Sequence, residues 1–79
     1  MNIYLVARTD HIGYAEFDAF VCVAETEEDA KKIHPYGVDR WDSDSWVPFS
    51  DRANLAVVFI GIAAANQTEG IILTSFNAG

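Results

Sequence analysis

The sequence predicts an α+β fold: four antiparallel strands in the chain order β-β-α-β-β and the spatial order 2-1-3-4, one short helix on one face, and a long loop over residues 36–54. Three observations predict it. The run Leu55 to Ile62, LAVVFIGI, holds eight consecutive apolar or small residues, rich in β-branched types, and reads as a strand able to bury both faces. Asn2 to Arg8 and Ala19 to Ala24 carry bulk on alternating positions, as strands do. Between these strands and the apolar run, Thr26-Glu27-Glu28-Asp29 gives a helix start, with a hydroxyl to accept orphan amides and acids at the positive end of the helix dipole.

In order along the chain, the first strand places Ile3, Leu5 and Ala7 on one face and Tyr4, Val6 and Arg8 on the other. Thr9 to Asp18 is polar, contains Gly13, and is too long for a two-residue turn, so it reads as a wide hairpin loop. In the second strand Phe20 and Cys22 face one way and Val21 and Val23 the other. The helix starts at Glu27 and carries two i,i+4 pairs, Glu27 with Lys31 and Glu28 with Lys32, each contributing about 0.2 to 0.5 kcal/mol. Pro35 disfavours helical geometry at His34, so the helix ends after about two turns. A helical crossover then returns the third strand beside the first. Ala63 to Gly70 reads as a hairpin connection to a fourth strand, Ile71 to Phe76. The expected inner strands are therefore the first and third, and the free edges are the second and fourth.

Size bounds what such a chain can do. At 79 residues it is expected to form a single domain over residues 1–79, near the length at which only about 60% of the unfolded surface is buried. With 51% hydrophobic and 13% aromatic residues it is too apolar for a disordered segment. A net charge of −7 argues against direct binding of nucleic acid or an anionic membrane, which need an excess of Lys and Arg, and favours a basic partner. The same charge also suffices simply to keep a small domain soluble. One cysteine, Cys22, excludes an internal disulfide framework, and the opening MNIYLVARTD has no signal-peptide pattern. A soluble cytoplasmic protein is expected.

No catalytic chemistry stands out, and the chain is expected not to be an enzyme. His11 and His34 would have to meet Cys22 or carboxylates to hold zinc, and none has ligand spacing. Valines flank Cys22, an apolar setting that disfavours a thiolate. Carboxylate pairs such as Glu16 with Asp18, or Asp42 with Asp44, occur in any acidic chain. Neither a GxGxxG nor a Walker loop is present. Neither a metal nor a cofactor is therefore expected.

Candidate partner-binding residues come from the two acidic segments without helix-type internal pairing. Asp10, Glu16 and Asp18 border the first hairpin loop. In DRWDSDSWVPFSD, Asp39, Asp42, Asp44 and Asp51 alternate with Trp41, Trp46 and Phe49. In an extended stretch Asp42 and Asp44 would point the same way, roughly 6.6 Å apart, a spacing that could imitate backbone phosphates. The two tryptophans read either as anchors folding the loop over the sheet face opposite the helix, or as exposed interface hot spots.

The opening MNIYLVARTD, the middle FDAFVCVAETEEDAKKIHP and the ending EGIILTSFNAG resemble a group of small proteins from phages and other mobile elements, and in size and acidity the chain is similar to anti-CRISPR proteins. The resemblance covers most of the chain except the Trp-bearing loop and assigns no functional residue. It implies a host-defence inhibitor in the bacterial cytoplasm, acting by binding, with a type I CRISPR effector complex as its target. The expectation is a monomer or homodimer whose carboxylates occupy a basic channel and block DNA binding. The alternative is a small acidic structural or regulatory module that dimerises through a sheet edge, with strand two or four as the candidate.

Overall fold

The computed structural model describes residues 1–10, 16–37 and 45–77. Four strands, β1 (Asn2–Arg8), β2 (Glu16–Ala24), β3 (Leu55–Ile62) and β4 (Gly70–Asn77), form one antiparallel sheet, with the short helix α1 (Glu27–Lys31) between β2 and β3. The α+β class, the antiparallel sheet and the single short helix agree with the sequence reading.

The lateral order is β3-β1-β2-β4, so the fourth strand lies beside β2 and not beside β3 as the expected order 2-1-3-4 had it. β1 and β2 are the inner strands, and β3 and β4 are the edges. The link from β3 to β4 is therefore no hairpin but runs across the end of the sheet. Its seven residues, 63–69, can reach roughly 23 Å, more than the ~14 Å across three strand spacings. The apolar run that suggested an inner strand lies instead at an edge, with Val58, Phe59, Ile60 and Ile62 all exposed.

β2 begins at Glu16, three residues earlier than its composition suggests. Phe17 packs edge-on against Phe76 of β4, with ring centroids 4.8 Å apart, and its N–H donates to the Ser45 carbonyl at 2.8 Å. Thr26 caps α1 by accepting the Asp29 N–H at 3.1 Å. The helix is five residues long, shorter than two turns, and its end is tightened by the Lys32 N–H bonding to Asp29 and the Ile33 N–H bonding to Ala30. A 3-10 stretch over Phe49–Asn54, kinked at Asp51, leads into β3.

One core lies on one side of the sheet. Tyr4, Val6, Phe20, Cys22 and Ala24 pack there with Leu55, with Ala30 of α1, and with Trp46 and Val47 of the long loop. The loop thus shares a face with the helix rather than covering the opposite face. A five-residue helix is too short to seal a four-stranded sheet, and the uncovered area around Phe20 is where Trp46 sits, T-shaped at 5.4 Å. Among the described residues, neither the helix nor the loop covers the other face of the sheet.

Candidate functional site

Charge is concentrated first around Arg8. This guanidinium sits on the core face of β1, with its side chain only 3% exposed. Asp10 accepts from its Nε at 2.6 Å and from its Nη2 at 2.9 Å, a bidentate fork that also gives the planar group its orientation. Nη1 donates to the Phe17 carbonyl at 3.5 Å and lies 3.6 Å from Glu16 Oε2. The guanidinium carbon stands 5.9 Å from the Trp46 ring centroid. The hydrogen bond to Asp10 raises the Arg8 pKa against the opposing effect of burial, so the group is charged at every accessible pH.

Two of the expected partner-binding carboxylates, Asp10 and Glu16, are thus drawn onto an internal cation. One of their two charges is offset by the guanidinium, which makes this corner a structural clamp between β1 and the start of β2. Asp18 occupies an extra position on β2 between the Phe17 and Ala19 pairs with β4, and its Oδ1 is buried with no hydrogen-bond partner among the described residues. Asp51 is exposed. Asp39, Trp41, Asp42 and Asp44 lie outside the described residues, and so does His11. Trp46 is 2% exposed and belongs to the core. Trp46 therefore anchors the loop, but on the face it shares with the helix and not on the opposite face where the anchor reading placed it.

His34 is buried, and its Nδ1 accepts the Tyr36 N–H at 3.0 Å. This nitrogen acts as an acceptor that closes the turn after the helix. Burial, followed by the nearby charge of Glu69, pushes the Cys22 thiol up to about 11. Among the described residues no group of three or more His, Cys, Asp or Glu could hold a metal ion. A cleft of about 270 Å³ between α1 and the 3-10 stretch is lined by Glu28, Lys31, Ser50, Arg52 and Ala53, with charges of both signs at its mouth.

The surface that departs most from the chain's composition is the uncovered face of the sheet. Residues opposite one another across antiparallel strands share a face, so the strand registers define it. One row runs Val58, Leu5, Val21, Leu73 across β3, β1, β2 and β4. A second runs Ala56, Ala7, Ala19, Ser75, and a third runs Gly61, Ile3, Val23, Gly70. No charged side chain stands in any of these twelve positions, although the chain carries 17 charged residues. Val58 is 52% and Leu73 67% exposed, and Leu5, Ala19, Val21, Leu73 and Ser75 help to line a shallow depression of about 80 Å³. At the end crossed by the 63–69 link, Val23 is buried.

Sequence reasoning did not single out this face, because one of its two readings of the tryptophans folded the long loop over it. The signal was present in the apolar character of both alternating sets of β1 and β3, which demands a cover on each side of the sheet. Among the described residues, no helix is long and apolar enough to cross a membrane. No family model, no curated protein and no solved structure matches this chain.

Proposed function

We propose that this protein is a non-enzymatic binding module and that the uncharged face of its sheet is the surface it binds with. The observation that carries this reading is the row Val58, Leu5, Val21, Leu73, open and without a charge beside it, on a chain of net charge −7. A charged protein that keeps one face free of charge gains from apolar burial there, and exposed apolar area of this kind marks interaction sites. The bulged edge strands bordering the face add Ile60 and Ile72, both about half exposed.

The inhibitor reading belongs to the same class, and it is supported by the net charge and by the resemblance to small phage proteins. In that reading the protein acts in the host bacterial cytoplasm, where Cys22 stays reduced, and blocks DNA binding by a CRISPR effector. With Asp10 and Glu16 held by Arg8, the exposed carboxylates left for a basic channel on the described surface are Glu25, Glu27, Glu28, Asp51 and Glu69.

Mixing the protein with type I effector complexes and measuring DNA binding at low and high salt separates the two contacts. Inhibition that persists at high salt and is lost in Leu73→Glu supports the sheet face. Inhibition that vanishes at high salt and survives Leu73→Glu supports the carboxylates, since an added acid does not harm an acidic contact. No inhibition under either condition removes the CRISPR target and leaves the binding face to be judged by its own test.

A further inference from the structure

Resting on the reading of the open face as the working surface, we propose that its occupant is a second copy of this chain, packed sheet on sheet about a two-fold axis. Charge, shape and the condition of the edges lead to this occupant.

A basic partner would be met by carboxylates, and none stands among the twelve positions of the face. The surface described above that is equally flat, uncharged and apolar is the same face on another molecule. Shape makes the face self-complementary. The row of larger side chains, Val58, Leu5, Val21 and Leu73, runs directly beside the row of small ones, Ala56, Ala7, Ala19 and Ser75. A two-fold axis lying between the sheets, parallel to the rows and midway between them, lays each larger row on the other copy's small row. Val58 then meets the second copy's Ala56, Leu5 its Ala7, Val21 its Ala19 and Leu73 its Ser75. Such interdigitation of large and small residues is how stacked sheets close a gap of about 10 Å.

The edges argue against strand-to-strand pairing as the route to a dimer. β3 carries an extra residue, Ile60, between its Phe59 and Gly61 pairs, and β4 an extra residue, Ile72, between Ile71 and Leu73. Bulges of this kind twist an edge away from regular pairing with a further strand. Strand two, one of the two expected dimer edges, is an inner strand and has no free edge.

Area fixes the strength. The two rows that overlay one another across four strands make a contact of roughly 250 Å² per copy, so a pair buries on the order of 500 Å², well below a standard interface, which makes the dimer weak and reversible. The two copies each carry −7, and their mutual repulsion opposes association until salt screens it.

Sedimentation equilibrium of the full chain over micromolar to millimolar concentration tests the proposal. A reversible monomer–dimer equilibrium is expected, with a dissociation constant on the order of 10 to 100 μM that falls several-fold when salt is raised from about 0.05 to about 0.5 M. Leu73→Glu and Ser75→Glu, both at exposed positions where the fold tolerates a polar side chain, should each weaken dimerisation at least tenfold with an unchanged far-UV spectrum. Ile62→Ser, on the other face at the β3 edge, should leave it unchanged. A chain that stays monomeric up to millimolar concentration overturns the second copy as occupant. If Leu73→Glu nonetheless abolishes inhibition of an effector, the face remains the working surface. A dimer lost in Ile62→Ser but kept in Leu73→Glu overturns the proposed packing.

Discussion

Arg8 occupies a core-facing position that Tyr4 and Val6 fill with apolar groups four and two residues earlier, and its charge is tolerated because its three nitrogens find two carboxylates and a carbonyl within reach. Removing the cation while keeping its partners should therefore be costly. Arg8→Ala is expected to lower stability by about 3 kcal/mol, and Asp10→Asn, whose side chain is 27% exposed, by about 1 kcal/mol. Urea unfolding curves of the two variants measure both. Arg8→Lys keeps the charge but loses the fork, and it should fall between them.

Cys22 gives a pH dependence whose sign follows from burial. Its pKa is pushed up from an ordinary 9.0 to about 11 in the folded chain, so the folded state holds the proton longer than the unfolded state does. The contribution is full below pH 9 and is lost as pH rises toward 11, amounting to about 2 to 3 kcal/mol. Chemical unfolding at pH 8 and pH 11 should show this loss, and Cys22→Ala should reduce it. At pH 8 the native thiol should also resist alkylation until denaturant is added.

At the scale of elements, the sequence was most legible where local chemistry decides the outcome. The bounds of β1 and β3 and the cap at Thr26 follow from alternation and from a hydroxyl before three acids. Thr26→Ala should cost about 1 kcal/mol by denaturation. The strand order was not legible, because a run such as LAVVFIGI has the same apolar signature whether two neighbours bury it or an edge exposes it. Nor does the 63–69 link declare whether it turns back or crosses the sheet, since its length permits both. Gly70, at φ 149°, opens β4 in a backbone conformation that only glycine adopts without strain. No atom lies within 4 Å of an added Cβ, so Gly70→Ala should cost about 1 kcal/mol from the backbone alone, measured as a fall in denaturation midpoint. Trp46 shows how a long loop becomes part of the core. Its removal to Ala should cost about 3 to 5 kcal/mol.

Across the whole molecule, the sheet divides the protein into a finished side and an unfinished one. On the finished side, helix, loop and sheet enclose Phe20, Val6 and Cys22 around the buried end of Arg8, while Phe59, Ile62, Ile71 and Phe76 stay exposed on the edge strands. On the other, three uncharged rows cross all four strands. Composition pointed to the carboxylates because charge can be counted in a sequence, whereas the apolar sets legible in each strand join into one uncharged face only once the strand registers are fixed. The Arg8 clamp likewise could not be read, since it depends on Asp10, two residues on, and Glu16 of the neighbouring strand both turning toward it.

The most direct test of the open face is a comparison of methyl NMR spectra of the full chain at dilute and concentrated conditions in high salt. Concentration-dependent shifts confined to Leu5, Val21, Val58, Leu73 and the adjoining alanines are the predicted result. Shifts centred on α1 and the 3-10 stretch, with those methyls unmoved, would contradict it.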